Sequence, residues 1–164
     1  MIIAIYLYVK IITIWKKKLV RVAIVNPYDV HAYNDYALIQ SATNENLEIV
    51  KILVEAGADI HANYDDALRN GINNLEIVRY LVEKGADINA EGGYQEDNGG
   101  TYFYNHILRV AVQVKNVEVV KYLTSLGKYD EKILSYALEF TKNPEITAHL
   151  SNLINNAKID GLND

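Results

Sequence analysis

Apolar residues recur along this 164-residue chain in blocks of helical period, divided by short polar stretches. In NLEIVKIL at 46–53, Leu47, Val50, Leu53 and the following Val54 fall on one helix face, with Glu48, Lys51 and Glu55 opposite. NLEIVRYL at 74–81 repeats the stripe with Leu75, Val78, Leu81 and Val82, and NVEVVKYL at 116–123 with Val117, Val120 and Leu123. NPEITAHL at 143–150 is a weaker copy. The polar residues before each block, Asn44 to Asn46, Asn73 to Asn74 and Asn116, suit a tight turn and a helix N-cap. Glu48, Glu76 and Glu118 follow in the first turn, where the helix dipole favours negative charge. Gly57, Gly85 and Gly127 come just after each stripe ends, where a left-handed residue closes a helix.

Two more strings travel with these blocks. DVHA at 29–32, DIHA at 59–62 and DINA at 87–90 mark turns, and Ala37-Leu38, Ala67-Leu68 and Ile107-Leu108 mark a shorter first helix. The period is 30 residues between the first two turn strings and 28 between the next two. It stretches to 42 between the second and third NxE strings, an insertion of about a dozen residues. No such unit can bury its apolar face alone, so the pattern predicts an all-α solenoid of stacked helix-turn-helix units. A single array over 1–164 is expected, with a degenerate N-terminal unit at 1–32 and repeats at 33–62 and 63–90. A repeat at 91–128 carries an inserted loop at 91–105, and 129–164 forms a C-terminal cap.

Composition narrows the function. Half of the residues are hydrophobic, enough for a continuous core. Lys and Arg number 16 against 21 Asp and Glu, a net charge of −5, which argues against nucleic acid as partner because clustered cations must replace phosphate counterions. Cysteine is absent, which removes disulfides, thiol nucleophiles and cysteine zinc sites and fits a reducing compartment. The apolar start MIIAIYLYVKIITIW is interrupted at Lys10 and closed by Lys16, Lys17 and Lys18, short of the roughly 20 apolar residues that span a bilayer. Its charge follows the apolar stretch, the reverse of a signal peptide. A buried end of the core is the expected role, with a membrane anchor as the alternative.

No catalytic constellation emerges. His31 and His61 hold equivalent places in consecutive units with Asp29 and Asp59 nearby, but zinc needs several ligands in one shell, and solvated turn residues are the expected reading. GGYQEDNGG at 92–100 lacks the Lys-Ser/Thr of a phosphate loop and reads as a flexible surface loop. Asp65-Asp66 suit turn and cap roles, and Ser41, Ser125, Ser135 and Ser151 lie in no nucleophile elbow. Neither a cofactor nor a metal is expected. The inserted stretch holds Tyr94, Tyr102, Phe103 and Tyr104, residues that anchor protein interfaces when exposed or fold back as an apolar patch.

NLEIVKILVEAGADIHA at 46–62 and NLEIVRYLVEKGADINA at 74–90 resemble the second helix and following hairpin turn of the ankyrin repeat. The family's Thr-Pro-Leu-His opening is replaced by DYAL at 35–38 and DDAL at 65–68, and the period is shorter than the usual 33 or so. Both features are similar to the short-period ankyrin proteins of giant DNA viruses. The resemblance covers about 29–128 clearly and 129–150 weakly. It implies a non-catalytic scaffold or adaptor, monomeric and cytoplasmic (in the host cell if viral), that binds another protein through its turn tips and first helices. Tyr28, His31, Tyr33, Tyr64 and Asp65 then become contact candidates beside the inserted aromatics. The resemblance also implies that Asn89, spaced from Leu81, Asp87 and Ile88 as in targets of the ankyrin-directed asparaginyl hydroxylase, is a modification candidate, with His61 its equivalent. A membrane-associated scaffold anchored by 1–15, and a decayed array without a strong partner, are the other readings.

Overall fold

The computed structural model describes residues 30–90, 92–96, 102–126 and 129–160. The N-terminal apolar segment, Tyr28, Gly127 and the middle of the insertion lie outside the described residues. Eight helices and two strands follow in order: α1 Ala32–Thr43, α2 Leu47–Glu55, α3 Ala62–Asn70, α4 Leu75–Glu83, β1 Gly92–Glu96, β2 Tyr102–Asn105, α5 Ile107–Gln113, α6 Val117–Ser125, α7 Glu131–Glu139 and α8 Pro144–Asp160. The first helices α1, α3, α5 and α7 pack in one row, and the second helices α2, α4, α6 and α8 in another. This is the expected solenoid. No helix among the described residues is long and apolar enough to cross a membrane.

The apolar stripes form the seam between the rows. Leu38, Leu68 and Leu108 repeat along the first helices, and Leu53, Leu81 and Leu123 along the second, all buried. Each fully buried leucine contributes about 1.5–3 kcal/mol, so the seam dominates the stability of a unit. Asn46, Asn74 and Asn116 cap α2, α4 and α6, their side-chain oxygens accepting N–H bonds from Ile49, Ile77 and Val119 at 3.2–3.3 Å. Asp130 caps α7 in the same way at 2.8 Å. Gly57 (φ 97°) and Gly85 (φ 106°) take the left-handed region after α2 and α4. There the Ala58 and Ala86 N–H groups reach back to Leu53 and Leu81, closing each helix end.

The shorter second period arises between α3 and α4. Leu38 precedes the next cap, Asn46, by eight residues and Leu108 precedes Asn116 by eight, whereas Leu68 precedes Asn74 by six. The tighter passage brings Gly71 against α4, where a Cβ would stand 2.6 Å from Ile77 Cγ2. Asn116 ties the second unit to the third, its amide donating to the carbonyls of Ile72 and Asn73 at 3.1 Å.

The insertion corrects one expectation. Residues 92–100 were expected in a flexible loop; of these, 92–96 form β1, which pairs antiparallel with β2, Gln95 opposite Phe103 and Glu96 opposite Tyr102, with an irregularity after Gly92, and 97–100 lie outside the described residues. β1 lies against α3, so the all-α stack carries one hairpin. The aromatic run Tyr102-Phe103-Tyr104 is a strand former, and Gly92–Glu96 is its partner.

Candidate functional site

The first helices of the first two units do not begin as ordinary helices. Tyr33, Asn34 and Asp35 all lie in the left-handed region (φ 53°, 60° and 56°), as do Asn63, Tyr64 and Asp65 (φ 51°, 59° and 60°). Each triplet is a turn of left-handed helix, and right-handed helix resumes beyond it at the Ala-Leu pair. Asn and Asp tolerate this region; tyrosine does so at a cost of roughly 1–2 kcal/mol per residue. Strain of this kind, held in two consecutive units, must be compensated locally.

The compensation is a ladder of hydrogen bonds. The Asp35 carboxylate accepts from the Asp59 N–H at 2.9 Å and from His31 Nδ1 at 3.0 Å. The Asp65 carboxylate accepts from the Asp87 N–H at 2.9 Å and from His61 Nδ1 at 3.1 Å. Each buried carboxylate therefore fixes its histidine and the turn that leads on to the following unit. A carboxylate can only accept, so in both pairs the imidazole Nδ1 donates. Arg69 secures the second turn by donating to the carbonyls of Tyr64 and Asn63 while pairing with Asp66 at 3.1 Å. Asn34 and Asn63 hydrogen-bond to each other, so the two turns stack side by side.

What the stack presents is aromatic. Tyr33 is 91 % exposed, Tyr64 64 % and Tyr36, at the start of the right-handed part of α1, 54 %. Asp59 is exposed as well, and Asp66 is partly so.

At the third junction the arrangement changes. His106 stands where Tyr36 and Asp66 stand in the earlier units, and its Nδ1 accepts the Leu108 N–H at 3.3 Å as the cap of α5. Nδ1 thus bears no hydrogen and Nε2 does. The ring is buried, edge-on to Tyr129 with centroids 5.2 Å apart, and neither His106 Nε2 nor the Tyr129 hydroxyl finds a partner among the described residues. Burial lowers the His106 pKa below its usual value, against the pull of the Asp87 and Asp130 carboxylates. Burial, helped by Asp87, raises that of Tyr129.

A cavity of about 320 Å³ opens among Val82, Gly85, Ala86, Asp87, Ile88 and Leu126. Among the described residues that line it, Asp87 is the one titratable group. Among the described residues no group of three or more His, Cys, Asp or Glu is placed to hold a metal. His31 and His61 are instead each bonded to an aspartate.

The family model for ankyrin repeats, in three copies, matches residues 11–92, half of the chain. The chain belongs to the ankyrin-repeat family. Ankyrin repeats are generally protein–protein interaction modules and are typically non-catalytic. Comparison with the curated proteins gave no match.

Within this ankyrin stack the candidate residues fall in three groups. Tyr33 and Tyr64 lie on the stacked turns beside His31, which is exposed. Asp65, expected among the contact residues, is only 4 % exposed and is engaged by His61 and Asp87; a carboxylate so enclosed shapes the turn rather than touching a partner. Tyr94, Tyr102, Phe103 and Tyr104 lie on the two strands. Asn89 is exposed, with its N–H donating to Asp87 Oδ1 at 2.8 Å, while Leu81 and Ile88 are buried beneath it.

Tyr36, Asn34, Asn63 and Arg69 were not foreseen. Tyr36 carried a signal, since an aromatic immediately before the Ala-Leu pair breaks the polar character of a helix start. The asparagines and Arg69 carried none, because their roles depend on backbone carbonyls that point outward only in a left-handed turn.

Proposed function

We propose that this ankyrin array is a non-catalytic recognition module that binds another protein along the stacked turn edge, with Tyr33, Tyr36 and Tyr64 as anchors. The observation that carries the reading is the pair of left-handed turns, which hold Tyr33 and Tyr64 outward at the expense of backbone strain. Strain that is held by a dedicated hydrogen-bond ladder concentrates at sites where pre-organisation serves binding. A rigid tyrosine offers a large amphipathic contact at low entropic cost.

In this reading His31 and Asn34 border the anchors, and the hairpin with Tyr94, Tyr102, Phe103 and Tyr104 extends the surface into the third unit. The functional divisions are the units at 33–62, 63–90 and 91–128 between end units at 1–32 and 129–164. The array acts as a monomer in the cytoplasm, on a host protein if its short period reflects a viral source. Asn89 stands as its candidate for hydroxylation, checked by mass spectrometry of protein recovered from cells that contain the hydroxylase.

The test is affinity capture from cell extract with the wild type, with a Tyr33→Asn/Tyr36→Asn/Tyr64→Asn variant and with residues 94–104 removed, circular dichroism being recorded for each. Loss of the same specific partner in the tyrosine variant, with helicity kept, supports the turn edge. Retention of every partner by that variant would falsify it.

A further inference from the structure

Among the described residues the cations are distributed unevenly over the tyrosines. On the second-helix face, Lys51 and Lys84 each sit 5.6 Å from the Tyr80 ring, and Arg79 sits 4.9 Å from that of Tyr122. Lys51, Arg79 and Lys121 hold the same place in successive units, and Lys121 goes on to pair with Glu145 at 2.6 Å in α8. That face answers its own aromatic rings. Among the described residues no lysine or arginine stands over Tyr33, Tyr36 or Tyr64. Helix α1 contains no lysine or arginine, and the one in α3, Arg69, is engaged by Tyr64, Asn63 and Asp66. The carboxylates tied to these turns are Asp59, whose backbone is held by Asp35, and Asp66, held by Arg69.

We propose that the turn edge takes an arginine-bearing segment of a partner protein, its guanidinium seated on a tyrosine face beside the Asp59 carboxylate. The proposal rests on the recognition function stated above and adds the chemistry of the partner. Electron-rich ring faces attract a cation, and arginine adds planar stacking to the charge. The exposed Asp59 carboxylate strengthens the preference by attracting the cation and repelling acidic segments, whereas Asp66 is already balanced by Arg69. The overall charge of −5 acts in the same direction at longer range.

The experiment is a selection of displayed random linear peptides on the immobilised full chain. A parallel selection uses the Tyr33→Asn/Tyr64→Asn variant. Asparagine tolerates the left-handed region, so the variant keeps the turn, and circular dichroism checks it. The proposal expects arginine to be enriched in peptides that bind the wild type and not the variant. A synthesised winner, titrated by calorimetry, should lose about tenfold in affinity for Tyr64→Asn and about tenfold for Arg→Gln in the peptide. The two losses together should be less than their product, because both remove one contact. Tyrosine-dependent peptides that are acidic or purely apolar overturn the proposal and leave the recognition surface standing. Selection of peptides indifferent to the tyrosines, or of none, overturns the proposal and counts against the surface as well.

Discussion

The first two units and the third solve the same problem differently. All three must deliver a helix with its leucine, Leu38, Leu68 or Leu108, into the seam. The first two enter through a left-handed turn whose aspartate is buried, and the third enters from a β-strand with His106 as cap. In the first two, the entering turn also fixes the turn that leads on to the following unit, since Asp35 and Asp65 hold the Asp59 and Asp87 backbones. The third unit is tied back to the second by Asn116, from the other end of the helix pair. The difference teaches that the seam sets where a helix must arrive and leaves the route to local chemistry. A route built on a buried carboxylate is rigid and presents side chains outward; a route built on a histidine cap is sensitive to protons.

The strongest way to break this contrast is Asp65→Ala. It leaves the Asp87 N–H without its acceptor and puts alanine in the left-handed region. Together these should cost about 3 kcal/mol, read as a lowered urea midpoint at unchanged slope. Gly71→Ala comes next. Its methyl meets Ile77 at the narrow crossing of the short unit, and a loss of about 2 kcal/mol is expected by the same measurement.

Third is the response to acid. His106 is held neutral by burial, so its folded pKa lies below the usual 6.5. Below that pH the unfolded chain binds a proton that the folded chain refuses, and stability falls as the pH drops. His149, lowered by burial and by Lys121, acts in the same direction. His106→Asn, which keeps a capping oxygen, should remove part of the slope, at most about 1.4 kcal/mol per pH unit, in urea melts between neutral and mildly acid pH. An unchanged slope would place the acid sensitivity elsewhere. Asn116→Ala should cost about 1 kcal/mol, from the cap and from the tie to Ile72 and Asn73. Tyr33→Asn should leave stability within about 0.5 kcal/mol, since the side chain is exposed and asparagine suits its backbone. A large loss there would make the tyrosine structural and remove the contrast between anchor and ladder.

The period, the helices, the asparagine caps and the glycine ends were legible because each depends on residues within one turn of helix. Leu53, Leu81 and Leu123 were readable as seam for the same reason. The fourth unit was more legible than its worn NPEITAHL string suggests: Ile133-Leu134 near the start of α7 repeats Ile107-Leu108, and Leu134 is buried in the seam. The candidate site was half legible. Tyr33 and Tyr64 stood out as aromatics in turns, but the same position also flagged Asp65, which is buried. Polarity cannot tell a solvated aspartate from one that satisfies a backbone group 22 residues further along the chain. The pairing of Lys51 with Tyr80 and of Arg79 with Tyr122 was hidden too, because those partners lie 29 and 43 residues apart in the chain.

The sequence by itself determined that this chain stacks. Apolar stripes at helical spacing have no other way to leave water, and their caps and glycines mark where each helix starts and stops. Only the tertiary structure decided the hand of the two opening turns, the burial of Asp35 and Asp65, the hairpin in the insertion and the tyrosine edge that results. The turns and their aspartates depend on hydrogen bonds to backbone groups 24 and 22 residues further along the chain, and the hairpin on the pairing of its two strands; such bonds exist only once the distant segment is in place.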